Sequence, residues 1–299
     1  MSTIERAAAK LSQAMKRGNQ HDEIQPDDSG RARIRVGPAE PLPPEKPIFV
    51  EPGGEIDLEA LTRRGFATKA NSRGRLATDF RRIKRPLLLN IQKERVAGTT
   101  ESPPNLVLVT SAIPGEGKTF VSVNLALSIA AEVDRTVLLV DADVHKDDVA
   151  KVLRLDYEKG LIDLMEEGLT PEGVILRSNV EGLRILPAGR GCDNPDELFA
   201  SDGMKTLLHG LARRNPDEVV LVDAPPLMAG TIAAILGRLV GQVVMVVEAD
   251  QTPQTTVLEA LSQLQDCPVS LMLNKTTRTK AEQLTYGYGY EYGYGYGTQ

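Results

Sequence analysis

Short, continuous apolar runs alternate with helical segments from Asn105 to about residue 275. The runs are LVLVTS, TVLLVDAD, LRILPA, EVVLVDAPP, QVVMVVEAD and VSLMLNK, and helical segments fall at 119–133, 147–154, 195–214, 229–239 and 254–265. Apolar runs without polar alternation are typical of parallel strands that are buried on both faces. The pattern therefore predicts an α/β fold, a doubly wound and mostly parallel sheet, with its ligand at the carboxyl ends of the strands. Because aromatic residues make up only 4% of the chain, we expect an aliphatic core.

The N-terminal part of the chain has a different composition. Residues 1–17 are predicted to form a short helix, because apolar residues recur at helical spacing: Ile4, Ala8, Leu11 and Met15. Either a surface helix or a docking helix for a partner fits this pattern. Residues 18–54 hold seven prolines and many charges, which predicts a linker that is largely disordered or polyproline-like.

A second helical stretch is predicted from about residue 57 to residue 93. It carries a basic cluster that ends at Pro86 and consists of Arg81, Arg82, Lys84 and Arg85. From the residues alone, this cluster reads as a solvated helix face. We therefore divide the chain into an N-terminal helix and linker (1–54), a nucleotide-binding domain with a leading helix (55–280) and a C-terminal tail (281–299).

Charge and cysteine usage exclude several classes of protein. The net charge of −6 argues against nucleic acid as the main partner. The two cysteines, Cys192 and Cys267, are far apart and form no metal or redox motif, so a reduced, cytoplasmic protein is expected. No apolar run approaches the roughly 18 residues of a membrane span, and no signal peptide is evident at the N-terminus. A membrane role is therefore expected to require a partner.

The turn after the first apolar run predicts a phosphate-binding loop. It reads A-I-P-G-E-G-K-T from Ala112 to Thr119 and matches G-x-x-x-x-G-K-[ST] except for its first residue. Backbone amides at a helix N-terminus cradle phosphate oxygens, while the lysine reaches the β- and γ-phosphates and the hydroxyl binds Mg²⁺. The predicted nucleotide-binding residues of this turn are Pro114, Gly115, Glu116, Gly117, Lys118, Thr119 and Phe120.

Carboxylates follow two further apolar runs. Asp141 and Asp143 come just after one run, and Asp223 follows another. Side chains at the carboxyl ends of neighbouring parallel strands lie beside the phosphate-binding loop, where they can hold Mg²⁺ directly or through water. Thr119, Asp143 and Asp223 are the predicted metal ligands. Asn274 ends the last run, and either a hydrogen bond to a nucleotide base or a role in a turn fits it.

The C-terminal segment holds six of the seven tyrosines, nearly all spaced by glycine. They are Tyr286, Tyr288, Tyr290, Tyr292, Tyr294 and Tyr296. Alternate glycines raise the entropy cost of ordering a backbone, and chain ends offer bulky side chains little core. We expect a solvated tail whose phenol hydroxyls can accept phosphoryl groups.

Together these motifs resemble the bacterial tyrosine autokinases of exopolysaccharide biosynthesis, the BY-kinase family, over about residues 55–299. SAIPGEGKTF resembles the Walker A motif of that family, VLLVDADVHK its Walker A′ and VVLVDAPP its Walker B, and the tyrosine-rich tail is the fourth match. Within this family, the chain is most similar to the subgroup found in exosortase-linked (PEP-CTERM) loci. Its N-terminal sequence, MSTIERAAAKL, also resembles the N-terminus of that subgroup.

A weaker match concerns the E-x-x-R-x-x-R helix that builds a ring-shaped oligomer in that family. Asp79, Arg82 and Arg85 fall at its three positions, with the shorter aspartate in place of glutamate. In the Walker A′ motif, His145 stands where many relatives have arginine, and Lys146 is a candidate to replace that charge.

The resemblance implies ATP and Mg²⁺ as cofactors and Lys118 and Asp141 as catalytic residues, with Asp141 orienting and deprotonating the incoming tyrosine. It also implies a ring-type homo-oligomer, a membrane chain-length-determinant (polysaccharide co-polymerase) partner and a cognate tyrosine phosphatase. The protein would then be cytoplasmic and peripheral at the inner membrane.

Two alternatives to a kinase remain open. MinD/ParA-type ATPases share the phosphate-binding loop but carry a lysine at its second position, which is Ile113 here, so the missing lysine and the tyrosine-rich tail weigh against them. A nucleotide-switched scaffold of a polysaccharide export machine would share every loop feature without phosphorylating anything. The tail can also be interpreted as a self-associating aromatic segment.

Overall fold

The computed structural model describes residues 55–98, 101–264 and 267–276. The predicted N-terminal helix, the proline-rich linker and the six tail tyrosines lie outside the described residues. The strands are β1 Leu106–Ser111, β2 Thr136–Asp141, β3 Leu176–Arg177, β4 Leu183–Leu186, β5 Glu218–Asp223, β6 Gln242–Glu248 and β7 Val269–Asn274. The α-helices are α1 Leu58–Arg63, α2 Arg75–Ala97, α3 Lys118–Ala130, α4 Asp148–Leu153, α5 Leu161–Glu167, α6 Pro195–Phe199, α7 Asp202–Arg214, α8 Ile232–Gly237 and α9 Gln254–Ser262.

The strands form one seven-stranded sheet in the order β3-β4-β2-β5-β1-β6-β7. Every neighbouring pair is parallel except β3 and β4, which are antiparallel. The predicted doubly wound, mostly parallel sheet is therefore confirmed. The short antiparallel strand β3 and helix α5 are additional elements that the apolar pattern did not indicate.

Both faces of the sheet are covered, because alternate side chains of each strand point to opposite layers. In β1, Leu106 and Leu108 pack into one apolar cluster, which includes side chains of α5 to α9. Val107 and Val109 pack into the other cluster, with side chains of α1 to α4. The continuous apolar runs of the sequence are thus explained by burial on two sides.

The helical stretch predicted from residue 57 to residue 93 is divided into α1, a 3₁₀ turn at Lys69–Asn71 and α2. The Asp57 carboxylate accepts a hydrogen bond from the Ala60 backbone N–H and so caps α1, which ends before Gly65 at φ 85°. Helix α2 continues through Pro86 to Ala97 and ends at Gly98 in the left-handed conformation. Among the described residues, none of these helices has the length and apolar character needed to cross a membrane.

The sheet order places the site. Strand β1 lies between β5 and β6, and β2 lies on the other side of β5. The register pairs Asp141, the last residue of β2, with Asp223, the last residue of β5. Because α3 follows directly after β1, its N-terminus begins beside these two carboxylates at the carboxyl edge of the sheet.

Candidate active site

The turn between β1 and α3 has the backbone of a phosphate-binding loop. Gly115 and Gly117 both have φ of 92°, a conformation that residues with a side chain rarely adopt. Helix α3 begins at Lys118 and runs for 13 residues, so its first backbone N–H groups point into the turn. Partial positive charge at this helix end favours an anion there.

Lys118 is held among carboxylates at this helix end. Its Nζ lies 2.7 Å from Asp143 Oδ2 and 3.7 Å from Asp223 Oδ2, and all three residues are buried. Burial alone would lower the pKa of Lys118, but attraction to Asp223 and Asp143 outweighs it and raises the pKa. The lysine is therefore fully charged at neutral pH and close enough to exchange these carboxylates for phosphate oxygens.

Asp223 accepts hydrogen bonds from two hydroxyls of α3. Thr119 Oγ1 donates to its Oδ2 at 2.7 Å, and Ser122 Oγ donates to its Oδ1 at 2.9 Å. Burial raises the pKa of Asp223, although Lys118 and the two hydroxyls act in the opposite direction. Ser122 was missed by the sequence analysis. Its spacing of three residues from Thr119, on the same helix face, is the only signal that points to it.

Asp141 is fully buried, and both of its oxygens accept backbone hydrogen bonds. The Asp143 N–H donates to Oδ1 and the Val149 N–H to Oδ2, each at 3.0 Å. Burial, and next the nearby charge of Asp223, raises the pKa of Asp141 well above its usual range. A carboxylate with a raised pKa is a better proton acceptor than an ordinary aspartate, which suits the role that the sequence predicts.

The oxygen atoms present fit a magnesium ion that also binds phosphate. Among the described residues, Asp143 Oδ2 has no polar contact other than the Lys118 ammonium, and the Thr119 hydroxyl lies beside Asp223. No group of three or more His, Cys, Asp or Glu in the described part of the chain is arranged to hold a metal alone. Mg²⁺ usually binds through one or two carboxylates together with water and substrate phosphates. A site with Asp143, Asp223 and the Thr119 hydroxyl, but without a complete set of protein ligands in the part of the chain that the structure describes, is therefore what a magnesium–nucleotide site requires.

Three of the predicted nucleotide-binding residues use their side chains elsewhere. The Phe120 ring packs against Phe66 and Phe80, with ring centroids 4.8 and 6.3 Å apart. The Glu116 carboxylate is buried in hydrogen bonds to the protein, and Asn274 Nδ2 donates to the Glu116 carbonyl oxygen at 2.8 Å. Phe120 and Glu116 can therefore contact a nucleotide only through their backbones, and Asn274 is bound to the loop itself.

The remaining predicted residues are not part of this buried group of side chains. Asp79 on α2 pairs with Arg75, with 3.7 Å between Oδ2 and Nε, and Arg82 and Arg85 are exposed on the same helix. His145 and Lys146 follow β2 and are exposed. The structure thus brings Lys118, Thr119, Asp141, Asp143 and Asp223 together, whereas the predicted oligomerisation residues lie on helix α2.

Sequence and fold comparisons identify relatives. No protein-family model matches the chain. A putative tyrosine-protein kinase, EpsB, of Ralstonia nicotianae is 37% identical over 171 residues, which cover 57% of this chain and 22% of that protein. The tyrosine-protein kinase YwqD of Bacillus subtilis is 29% identical over 213 residues, 69% of this chain and 89% of that protein.

Among solved structures, the BceF tyrosine kinase domain is 26% identical with a TM-score of 0.57, and the match covers 73% of this chain and 86% of that domain. The chain spans 22% of the length of the Ralstonia relative, so it corresponds to only part of that protein. By sequence and by fold, the chain is therefore similar to bacterial tyrosine-protein kinases.

Proposed function

We propose that the protein is an ATP-dependent tyrosine autokinase that phosphorylates its own C-terminal tyrosine cluster. The observation that carries the proposal is the meeting of Lys118, Asp143 and Asp223 at the phosphate-binding loop. The tyrosine-rich tail follows strand β7, whose last residue, Asn274, contacts that same loop. A site suited to a phosphoryl donor therefore lies where the segment rich in acceptors leaves the domain.

In the proposed reaction, the loop amides and Lys118 hold the β- and γ-phosphates of ATP, and Thr119, Asp143 and Asp223 are the residues that would hold Mg²⁺. The metal supplies positive charge that offsets the charge developing on the phosphates. The tyrosine oxygen forms a bond to the γ-phosphorus while the bond to the β,γ-bridging oxygen breaks, and ADP leaves. Asp141 takes the phenol proton, since a phenol with a pKa of about 10 needs a positioned base.

The exchange of Asp143 for phosphate is part of this proposal. Lys118 already lies among carboxylates, so binding of the phosphates replaces one set of anionic partners by another at little cost in desolvation. Asp143, released from Lys118, is then available to the metal or to its waters. The buried position of the three groups keeps these interactions strong, because the local dielectric constant is low.

Incubation with labelled ATP tests the assignment of Asp141. We expect Asp141→Asn to bind ATP with near-normal affinity and to lose tail phosphorylation by at least about a hundredfold. Asp156→Asn, at an exposed position, is the matched control and should retain full activity. Full activity in Asp141→Asn would reject the assignment, and ATP hydrolysis without phosphotyrosine in the wild type would favour the nucleotide-switched scaffold.

We further propose transfer between subunits of a ring whose contacts involve Asp79, Arg82 and Arg85. A tail-less but active chain is mixed with an Asp141→Asn chain that keeps its tail. Labelling of the second chain supports transfer between subunits, and its absence contradicts it.

Each phosphate adds about −1.5 to −2 charges near pH 7, so repulsion is expected to loosen the ring as phosphorylation proceeds. Equal masses for ATP-treated and phosphatase-treated protein would reject that step.

In the cell, this activity would regulate exopolysaccharide polymerisation and export, as in the exosortase-linked subgroup that the motifs resemble. A membrane chain-length-determinant protein would hold the kinase at the inner membrane from its cytoplasmic side, and a cognate phosphatase would reset the tail. The proposed division into residues 1–54, 55–280 and 281–299 assigns the first segment to this partner. Deletion of residues 1–54 should then abolish co-purification with the membrane protein but leave tail phosphorylation intact; retained co-purification would contradict the assignment.

A further inference from the structure

Glu116, inside the phosphate-binding loop, is a buried carboxylate with 1% of its surface exposed. Three donors converge on it. The backbone N–H of Ile113 donates to Oε2 at 2.8 Å, the backbone N–H of Glu248 donates to Oε1 at 3.0 Å, and Thr252 Oγ1 donates to Oε1 at 2.5 Å. One side chain therefore joins the start of the loop to the end of β6 and to the turn beyond it.

By its charge alone, the Glu116 carboxylate is unfavourable for the binding of an anion at this loop. A buried carboxylate within the loop repels phosphate, and it also occupies the Ile113 N–H, which is then not available to a phosphate oxygen. The three hydrogen bonds offset the free-energy cost of desolvating the carboxylate. Any benefit of Glu116 to phosphate binding must therefore come from the conformation that these hydrogen bonds impose on the loop.

The opposite side of the loop is held by the last residue of β7. Asn274 Nδ2 donates to the Glu116 carbonyl oxygen at 2.8 Å and lies so close to Gly117 that a Cβ there would meet it at 2.4 Å. The next residue, Lys275, pairs with Glu248 at 2.8 Å between Nζ and Oε2. Glu116 thus belongs to a network that connects the loop to the ends of β6 and β7.

We infer that Glu116 is a positioning residue for nucleotide binding: its carboxylate fixes the phosphate-binding loop against the end of β6 and does not contact the phosphates. This inference rests on the proposed function, because it requires the loop to bind a nucleotide. Holding the loop in its binding shape beforehand removes the entropy cost of ordering it when the ligand arrives.

Substitution by glutamine separates shape from charge. In Glu116→Gln, the remaining oxygen can still accept from Glu248 and Thr252, but the amide NH₂ then faces the Ile113 N–H, and two donors oppose each other. We expect ADP and ATP to bind about tenfold more weakly, because a hydrogen bond to a charged group at the loop is lost. The KM for ATP should rise by the same factor, while kcat changes less than about twofold.

A second variant tests the link to the strands. Thr252→Val removes one donor and leaves the Glu116 side chain unchanged, so we expect nucleotide affinity to fall only about two- to threefold. Glu158→Gln, at an exposed position, is the matched control and should bind as the wild type does. The affinity of the full chain for ADP is measured by titration calorimetry, and the midpoint of urea unfolding is measured in parallel.

The two readouts decide the inference. A positioning role is supported if Thr252→Val binds ADP more weakly than the wild type, Glu116→Gln binds it more weakly still, and both variants have unfolding midpoints near that of the wild type. Wild-type affinity in Glu116→Gln, whether or not its unfolding midpoint falls, overturns the inference and leaves the proposed function intact. Should Glu116→Gln not fold, wild-type affinity in Thr252→Val would overturn it. Failure of the wild type to bind ADP or ATP would overturn the proposed function and the inference together.

Discussion

Lys118 and Asp143 form a buried ion pair, with 2.7 Å between Nζ and Oδ2, at the N-terminus of α3. A second carboxylate, Asp223, lies 3.7 Å from the same ammonium group. The lysine that would bind phosphate is therefore also the charge that stabilises two buried carboxylates in the folded domain. This dual role leads to a prediction about stability that is independent of enzyme activity.

Lys118→Met should lower the free energy of unfolding by about 3–5 kcal/mol at pH 7, because it leaves two buried carboxylates without a cation. The folded-state pKa of Asp223, which burial already raises, would then rise further above its unfolded value. Carboxyl groups with raised folded-state pKa values destabilise the fold as the pH rises, so the loss should be largest near neutrality and shrink towards pH 4.

Urea unfolding of Lys118→Met at pH 7 and at pH 4.5 measures this difference. Lys93→Met, at an exposed position of α2, is the control and should change stability by no more than about 0.5 kcal/mol. An equal loss at both pH values would show that the ion pair is not the cause.

Ser122→Ala should lower the free energy of unfolding by about 1–3 kcal/mol, since Asp223 Oδ1 loses a donor that lies at 2.9 Å. Ser128→Ala in the same helix provides the comparison, and we expect a change within about 0.5 kcal/mol. Equal stability of the two variants in urea unfolding would contradict the importance of the Ser122 hydroxyl.

Gly160→Ala should destabilise the fold by about 1–3 kcal/mol or more, because the added Cβ would lie 2.2 Å from Gly189 N and 2.5 Å from Pro187 O. These neighbours are backbone atoms, which cannot turn away as a side chain can. Gly191→Ala, where a Cβ meets nothing within 4 Å, is the matched control and should be nearly neutral. Thermal unfolding of both variants checks the contrast, and similar midpoints would contradict the close packing at Gly160.

The Cys267 thiol should react slowly with alkylating reagents, because burial raises its pKa to about 11. The reactive thiolate forms in the folded protein only as the pH approaches that value. The unfolded chain loses the proton near its ordinary pKa, so this residue should make the free energy of unfolding fall as the pH rises from about 9 to 11.

Alkylation of Cys192→Ser, in which Cys267 is the one remaining thiol, is followed against pH under native conditions. The rate should still be rising above pH 9 and should level off only near pH 11. A plateau at pH 9 would show that the Cys267 thiol is not protected by burial.

Much of the fold could be predicted from the sequence, because burial on two faces leaves a continuous apolar run for each parallel strand. Strand β3 has only Leu176 and Arg177, and two residues produce no such pattern. The predicted helix at 195–214 divides because Ser201 caps α7, where its hydroxyl accepts a hydrogen bond from the Met204 N–H. Capping of this kind requires knowledge of the local backbone, which a periodic pattern does not contain.

The contact of Lys118 with Asp143 and Asp223 could also be predicted from the sequence, because it follows from the order of parallel strands. Parallel strands end at one edge, so residues that follow them lie together whatever their separation in sequence. The three bonds of Glu116 could not be predicted, since Thr252 is 136 residues away and a threonine after a strand has many ordinary roles. Motif reasoning assigned Glu116 to the nucleotide, whereas its carboxylate binds the protein.

The most direct test of the account is mass spectrometry of the tail after incubation of the purified full chain with ATP and Mg²⁺. Phosphate should be found on tyrosines between Tyr286 and Tyr296 in the wild type, and it should be absent from Lys118→Met and Asp141→Asn prepared in parallel. An unphosphorylated tail in a wild-type protein that binds ATP would contradict the proposed kinase activity.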